Sequence, residues 1–292
     1  MIEHMMFVRP GFGGFDEPYE RALVVFMGVP LDVTSSYRTG MRFAPARIRD
    51  ASMNLETYLM SAELDVFEQL GIADIGDLML VPTDMNTSGG RIERMVRKLR
   101  DGGKVPALLG GEHTLTYFSS RIFEDVFLVQ LDAHRDLRDE YLGDKLCHAT
   151  VMRRVLDFLP HERLLQVGVR SCSKEEAEFA GSTKIQAYTT EQVLDDLHVV
   201  ASDVRKKVGD ASVYLSIDLD VLDPAFAPGV ATPEPGGLST LDVIKLVREL
   251  GRLNIRAFDV VELAAPHDDG KTAFAAAKII YELLAAMSNS LK

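Results

Sequence analysis

Short runs of apolar residues alternate along the chain with segments in which apolar residues recur at helical spacing. The apolar runs predict buried strands over residues 23–29, 71–75, 105–109, 126–131, 164–169, 213–217 and 255–261. The segments with helical spacing predict helices over residues 90–100, 149–158, 190–208, 241–250 and 271–287. Such alternation favours a mainly parallel sheet with helices on both faces, which is an α/β fold.

The same pattern predicts one domain. No stretch rich in Pro, Gly or Ser is long enough to act as a linker, and no repeat of fixed period is found. A chain of 292 residues can bury roughly three quarters of the surface that it exposes when unfolded, so it can form a large core. We therefore expect a single domain over residues 1–292, with glycine-interrupted residues 1–20 as an irregular N-terminal arm.

Charge and cysteine content indicate which binding partners and which cellular compartment to expect. The formal net charge of −12 argues against binding to nucleic acid or to an anionic membrane, and it suits a small cationic ligand. The two cysteines, Cys147 and Cys172, form neither a CxxC pair nor a disulfide framework, so we expect a reducing compartment, the cytoplasm. No apolar run approaches the roughly 18 residues that suggest a membrane span, and no signal peptide is expected.

Polar side chains that can bind metal follow four of the predicted strands. In an open parallel sheet, ligands bind beyond the carboxyl ends of the strands, so we expect these side chains to lie close together. They are His113, which follows the Gly110-Gly111 turn, then Asp132, His134 and Asp136, then Asp218 and Asp220, and finally Glu262.

The spacing within this set indicates a shared metal centre. Asp132, His134 and Asp136 occupy alternate positions, so an extended backbone points all three to one side, and Asp218 and Asp220 repeat that spacing. Four carboxylates placed together in a crevice of reduced dielectric would repel strongly. Two divalent cations would cancel their charge, and the two histidines of the set would complete the ligands.

The donor types indicate which metal and which chemistry to expect. Oxygen-rich ligation with two imidazoles and no thiolate favours Mn²⁺, although Fe²⁺ and Co²⁺ also suit it. Paired ions about 3.5–4 Å apart convert a shared water into hydroxide at neutral pH. The sequence therefore predicts a hydrolase with a binuclear metal centre.

Each motif alone also has a plain structural interpretation. A lone DxHxD is most often a turn with solvated acids, and Asp218-Leu219-Asp220 followed by Asp223 is also typical of a loop with side-chain-to-backbone bonds. His113 alone is compatible with a packed residue at a helix start. The metal centre is favoured because three such clusters occur together at predicted strand ends.

The chain resembles the ureohydrolase family of arginases and agmatinases, and within that family it is most similar to the agmatinases. The matching segments are GGEHT (110–114), LDAHRDLRDEYLGDKLCHATVMRR (131–154), SIDLDVLDPAFAPGVATPEPGG (216–237) and VVELAAPHD (260–268), with a weaker match, SYRTGMRFAPARIRDAS, at 36–52. The DAHxD and SIDxDxxDP patterns are hallmarks of the family.

The resemblance implies a three-layer α/β/α fold, two Mn²⁺ ions per subunit and a homo-oligomer, either a trimer or a hexamer. It implies that Asp132 and Asp218 bridge both ions. The implied metal ligands are His113, Asp132, His134, Asp136, Asp218 and Asp220.

The resemblance also implies roles in the hydrolysis of a guanidinium group. His148 corresponds to the family histidine that shuttles protons near the cleft mouth, a task that suits the pKa of imidazole. Glu262 corresponds to the glutamate that pairs with the guanidinium of the substrate, and Asp136 would help to pass a proton to the departing amine.

Substrate choice depends on the residues that follow DAHxD. Arginases bind the α-carboxylate of arginine with Asn and Ser there, whereas this chain has Arg138 in place of Asn, which favours agmatine as substrate and putrescine as product. Asp139 and Glu140 are compatible with a terminal ammonium. Arg138 also leaves open an acidic guanidino compound such as guanidinobutyrate.

The loop that ends in Thr232-Pro233-Glu234 departs from the family pattern. Val230-Ala231 replaces the usual Thr-Gly, which predicts a bulkier and stiffer loop because the conformational freedom of glycine is lost. Glu234 is compatible either with a role in the cleft or with support of the loop.

Three other classes of protein are alternatives to a guanidinium hydrolase with two metal ions. A hydrolase of formimino or acetylated amine substrates would share the framework and the metals. A non-catalytic homologue that binds a partner or buffers Mn²⁺ would be expected to lack ligands, whereas all six are present here. A dinucleotide-binding enzyme is disfavoured because Gly110-Gly111-Glu112-His113 lacks the GxGxxG cradle.

Overall fold

A sheet of eight parallel strands lies at the centre of the computed structural model, which describes residues 11–14 and 17–288. The strands are β1 (Val24–Val29), β2 (Tyr58–Leu59), β3 (Leu64–Asp65), β4 (Ile72–Asp77), β5 (Val105–Gly110), β6 (Val126–Leu131), β7 (Leu164–Val169), β8 (Gln186–Thr189), β9 (Ser212–Asp218) and β10 (Asn254–Val261). β2 and β3 form a separate antiparallel pair. The central sheet has the order β4-β1-β5-β10-β9-β6-β7-β8, and its strands pair in parallel.

Helices cover both faces of this sheet. They are α1 (Ala44–Ser52), α2 (Val66–Gln69), α3 (Met85–Asp101), α4 (Leu115–Ser120), α5 (Val151–Val155), α6 (Lys174–Gly181), α7 (Thr190–Asp195), α8 (Leu197–Val208), α9 (Thr240–Leu250) and α10 (Lys271–Ser288). α1, α8, α9 and α10 pack over one face, and α3, α4 and α5 over the other. The predicted three-layer α/β fold with a mainly parallel sheet is confirmed.

The strands read as continuous apolar runs because both of their faces are covered. In β5, Ala107 and Leu109 belong to the core beneath α1 and α10, whereas Leu108 points into the core on the opposite face. Among the described residues, no helix has the length and apolar character needed to cross a membrane.

All seven predicted strands are present, with each end within two residues of the prediction. The sequence pattern missed the short antiparallel pair β2 and β3, and it also missed β8, which lies at the edge of the central sheet. Its residues, Gln186–Thr189, are exposed or half-buried, so the strand lacks the apolar run that marks the others.

Three helix predictions were wrong in extent. α3 begins at Met85, five residues before the start expected at residue 90. The helix expected over 190–208 is two helices, α7 and α8, because Asp196 has an extended backbone and its carboxylate accepts the backbone N–H groups of His198 and Val199. The helix expected over 149–158 begins as a 3-10 turn, His148–Thr150, and its α-helical part ends at Val155. α1, α2, α4 and α6 were not predicted.

The predicted N-terminal arm is described only in part, since residues 1–10, 15 and 16 lie outside the described residues. Phe12–Gly14 forms a short 3-10 turn. Phe12 is fully buried and stacks on Phe26 of β1, with ring centroids 4.3 Å apart. This part of the arm therefore contributes to the core.

Candidate active site

The predicted metal ligands and Glu262 come together at the carboxyl ends of four neighbouring central strands. His113 follows β5, Asp132 follows β6, Asp218 ends β9, and Glu262 follows β10. These strands lie side by side in the order β5-β10-β9-β6. The sheet thus brings together side chains that are separated by as many as 149 residues along the chain, as in the contact between His113 and Glu262.

One group of possible metal ligands consists of His113, Asp132 and Asp218, whose ligand atoms all lie within 4.8 Å of one another. His113 Nδ1 is 3.3 Å from Asp132 Oδ2 and 3.3 Å from Asp218 Oδ2. Asp136 Oδ2 lies 3.0 Å from the same nitrogen. All four residues are buried.

A second group consists of Asp132, His134 and Asp220, again with ligand atoms within 4.8 Å. His134 Nδ1 lies 2.9 Å from Asp220 Oδ2 and 3.6 Å from Asp132 Oδ1. Asp132 therefore faces the first group with one oxygen and the second group with the other, as a bridging carboxylate would. Asp218 belongs to the first group alone, so its bridging role stays a prediction.

His113 is oriented as a metal ligand. Its Nε2 lies 2.9 Å from Ser216 Oγ, and Ser216 donates its own proton to Asp259 Oδ1 at 2.7 Å. Ser216 must therefore accept from Nε2–H, and in the neutral imidazole Nδ1 then carries a lone pair. That nitrogen is buried, makes no hydrogen bond and faces carboxylate oxygens. A cation fits this arrangement, with Ser216 as the outer partner that fixes the imidazole.

The charges of the cluster shift the pKa values of its members. Burial alone would lower the pKa of His113 and of His134, but the adjacent carboxylates outweigh burial and raise both. Burial, followed by the charge of Asp132, raises the pKa of Asp136 to about 7. Burial and neighbouring carboxylates also raise the pKa of Asp218 well above its usual range. The excess of negative charge favours bound cations.

Buried amides orient the shared carboxylate. Gln130 Nε2 donates to Asp132 Oδ2 at 2.6 Å, and Gln166 Nε2 donates to Gln130 Oε1 at 2.7 Å. The backbone N–H of His134 donates to Asp132 Oδ1 at 2.5 Å. Both oxygens of Asp132 are therefore held in place by the protein.

Three backbone positions at the site are constrained. A Cβ at Gly111 would collide with the backbone of Leu31, so only glycine fits this turn. Asp136 and Glu262 have φ of 54° and 69°, a left-handed conformation that costs a residue with a side chain roughly 1–2 kcal/mol. Such strain concentrates at functional sites.

A cleft of about 300 Å³ opens beside the cluster. His134, Asp136 and His148 line it, and their roles in catalysis stay predictions. Glu262 is only 5% exposed and its Oε1 accepts the backbone N–H of His113 at 2.6 Å. Burial is the main cause that raises the pKa of Glu262 to about 8. Its contact with a guanidinium stays a prediction.

Glu234 makes two different contributions. Its backbone carbonyl accepts a hydrogen bond from Arg170 Nη2 at 2.7 Å, which ties the loop that carries Glu234 to the end of β7. The Glu234 side chain lines the cleft. Val230 and Ala231 are buried, and Ala231 N–H donates to the Glu262 carbonyl at 3.1 Å. The replacement of Thr-Gly thus lies against the backbone of Glu262.

The residues after DAHxD differ in where they lie. Arg138 lines the cleft, with Nε 3.7 Å from Glu176 Oε2 and its guanidinium carbon 5.1 Å from the ring centroid of Tyr141. Asp139 instead pairs with Arg154 Nη2 at 2.8 Å. Neither Asp139 nor Glu140 is one of the described residues that line this cleft.

Sequence reasoning missed the polar residues that hold the ligands. Gln130, Ser216 and Asp259 each lie within a run that was predicted as an apolar strand, and all three are fully buried. A polar residue in such a run was the available signal, because a buried polar group needs a partner. Ser36, which lines the cleft, lies in the weakest of the matching segments.

Comparison with known proteins is consistent with this site. A family model described as the arginase family matches residues 22–286. Guanidinobutyrase of Pseudomonas aeruginosa is 36% identical over 273 residues, which cover 90% of this chain and 85% of the relative. Agmatinase of Bacillus anthracis is 37% identical over 273 residues, which cover 91% and 92%.

A solved structure is similar over almost the whole chain. The crystal structure of agmatine ureohydrolase of Thermoplasma volcanium has 38% sequence identity and a TM-score of 0.90, and the match covers 97% of this chain and 95% of that one. The fold, the buried His and Asp groups and these relatives agree with one another. The chain belongs to the arginase family and is a ureohydrolase enzyme.

Proposed function

We propose that this ureohydrolase is an agmatinase, which hydrolyses the guanidinium group of agmatine to urea and putrescine in polyamine biosynthesis. The observation that carries the proposal is the pair of ligand groups that share Asp132 beside a cleft. The similarity to agmatinases over most of the chain supports the substrate. The net charge of −12 and the absence of a disulfide framework support a cytoplasmic enzyme without nucleic-acid or membrane partners.

Two divalent ions would be held by His113, Asp132, His134, Asp136, Asp218 and Asp220. When bound, they supply Lewis acidity and a nucleophile generated from water at neutral pH. Mn²⁺ is the proposed ion because the ligands are mostly oxygens, and Fe²⁺ or Co²⁺ suits the same donors.

The side chains of the protein bind the substrate and move its protons. In its ionised form, Glu262 would hold the planar guanidinium by charge-assisted hydrogen bonds, and its own position is fixed by the backbone of His113. Asp136, which lines the cleft, passes a proton to the departing amine. His148 exchanges protons with solvent at the mouth.

The charges in the cleft favour a cationic substrate. Arg138 has Glu176 beside it, with 3.7 Å between Nε and Oε2, so its charge is partly balanced within the protein. Glu234 adds a further carboxylate to the cleft lining. A substrate with a second positive charge, such as the ammonium of agmatine, suits this balance.

Guanidino acids are the second candidate class of substrate. The observation that favours them is Arg138, which lines the cleft and offers a cation to a carboxylate. The similarity to guanidinobutyrase supports this alternative.

Urea release distinguishes these candidates. Protein loaded with Mn²⁺ is assayed with agmatine, arginine and guanidinobutyrate, and we expect the highest kcat/KM with agmatine. His134→Ala should abolish most activity, whereas His198→Ala, an exposed histidine on α8, serves as the matched control and should retain it. Preference for guanidinobutyrate would select the second candidate. Absence of urea from every guanidino substrate, with formamide or acetate released from other amines, would overturn the proposal.

A homo-oligomer, either a trimer or a hexamer, is part of the same proposal and rests on the resemblance to the family. Analytical ultracentrifugation of the Mn²⁺-loaded protein tests it. A monomer at micromolar concentration would contradict it.

A further inference from the structure

His148 is connected by hydrogen bonds to Glu112, a fully buried carboxylate. Glu112 Oε2 accepts the backbone N–H groups of Val33 and Thr34 at 2.5 and 2.7 Å. Its Oε1 accepts the hydroxyl proton of Thr34 at 2.8 Å. Glu112 therefore fixes the loop after β1 and also the direction in which the Thr34 hydroxyl donates.

The Thr34 hydroxyl determines which nitrogen of His148 carries the hydrogen. A hydroxyl donates once and accepts twice, and Thr34 gives its proton to Glu112 when that carboxyl is ionised. The backbone N–H of His148 donates to Thr34 Oγ1 at 3.1 Å, and His148 Nδ1 lies 3.3 Å from the same oxygen. Since Thr34 can only accept from this nitrogen, Nδ1 carries a hydrogen.

The other nitrogen of His148 faces an accessible hydroxyl. Its Nε2 lies 3.1 Å from Ser36 Oγ, and both residues line the cleft. Ser36 is exposed, so it can exchange protons with water. The ring of Tyr141 packs edge-on against His148, with centroids 5.9 Å apart, and so restricts its rotation.

We propose that Glu112 and Thr34 are positioning residues that hold His148 as the Nδ1–H tautomer, so that Nε2 alone takes up and releases protons at the cleft. In each turnover, Nε2 accepts one proton from solvent through Ser36 and releases it into the cleft, whereas Asp136 passes the proton to the departing amine. Nδ1 keeps its hydrogen, and the ring returns to its neutral form. The catalytic consequence rests on the proposed function, in which His148 is the proton shuttle.

The environment of His148 keeps this ring neutral between turnovers. Burial is the main cause that lowers the pKa of His148 to about 4, and the nearby His113 and His134 lower it further, while the contact with Thr34 opposes them. A neutral imidazole has two possible tautomers, so a group that selects one of them determines which ring nitrogen can accept a proton.

The tautomer can be measured without turnover. Protein labelled with ¹⁵N at histidine and loaded with diamagnetic Mg²⁺ gives long-range ¹⁵N–¹H spectra, and His148→Gln assigns the ring. We expect a hydrogen on Nδ1 and a lone pair on Nε2. Thr34→Val should change the tautomer population, Thr34→Ser should keep it, and Ser35→Ala, a neighbour that bonds Asp32, should also keep it. A wild-type ring with its hydrogen on Nε2 overturns the proposal, whatever the variants do.

The kinetic consequence separates positioning from structural support. We expect Thr34→Val to lower kcat by roughly 10-fold or more, within the range of about 10²–10⁴-fold that a general acid or base supplies, with a smaller change in KM. Thr34→Ser should restore kcat, and metal content should stay unchanged. Full kcat in Thr34→Val, or a loss explained by lost metal, contradicts the positioning role. If no guanidino substrate yields urea, the proposed function fails while the tautomer measurement still decides this inference.

Discussion

Ser216 lies between a candidate metal ligand and a buried carboxylate, so a single hydroxyl determines the tautomer of His113. Removal of this hydroxyl by Ser216→Ala should weaken Mn²⁺ binding by roughly 10–100-fold, because partners that orient metal-ligating histidines contribute that much. Calorimetric Mn²⁺ titration measures the effect. Ser212→Ala, at the start of the same strand, is the matched control. Equal affinity in the two variants would contradict the role of Ser216.

At the residue scale, the sequence predicted the candidate ligands but not the groups that hold them. Asp132 and Asp218 were recognisable because each occurs where an apolar run ends. Ser216 and Asp259 contact His113 directly or through one hydrogen bond, yet they come from strands far along the chain. Which side chains meet inside the sheet depends on strand order, and hydrophobic periodicity does not encode that order.

The break between α7 and α8 depends on a helix cap that outweighs helical spacing. Asp196 accepts N–H groups of His198 and Val199 at 3.0 and 3.1 Å, which favours a new helix start over continuation of α7. Asp196→Ala should lower the free energy of unfolding by about 1 kcal/mol. Denaturant unfolding measures this, with Asp195→Ala, the last residue of α7, as the control. Equal stability of both variants would show that the cap contributes nothing.

At the element scale, buried strands were predictable and the edge strand was not. β1, β5 and β7 are buried at every position, so their composition reveals them. β8 is half-exposed and polar, and it forms a strand because β7 offers it a partner. The spatial order β5-β10-β9-β6, which assembles the site, follows from tertiary packing of the helices on both faces.

The whole molecule is held together in part by Glu282 of α10. Its Oε2 accepts from Arg248 of α9 at 2.8 Å and from Ser61 at 3.1 Å, and its Oε1 lies 3.2 Å from Lys278. Burial alone would raise the pKa of Glu282, but these contacts lower it below its usual value. The ionised form therefore stabilises the folded chain above the pKa of the unfolded state, and this stabilisation is lost as pH falls through the folded pKa.

Glu282→Gln should lower the free energy of unfolding by about 1–3 kcal/mol at pH 7, as for other hydrogen bonds to charged groups. The difference from wild type should begin to shrink as the pH falls below roughly 4.5, the pKa of the unfolded chain, and should be lost only below the lowered pKa of the folded state, where Glu282 is uncharged. Urea unfolding at several pH values between 7 and roughly 3 measures it. Glu178→Gln, an exposed pair partner of Lys174, is the control and should change little. A difference that does not vary with pH would contradict the ion-pair explanation.

At the scale of the whole molecule, sequence reasoning reached the layer architecture because strand and helix alternate throughout. It placed the candidate site correctly at the carboxyl ends of the strands because parallel sheets bind ligands there. The packing of Phe12 against Phe26 could not be predicted, since an isolated aromatic residue in a glycine-rich segment carries no periodicity.

The central claim is that Asp132 joins two metal positions beside one cleft. Anomalous diffraction at the manganese absorption edge from Mn²⁺-loaded crystals tests it most directly. The account predicts two peaks per chain, one in contact with His113, Asp132 and Asp218 and the other in contact with Asp132, His134 and Asp220. A single peak, or a pair of peaks with no contact to Asp132, would contradict it.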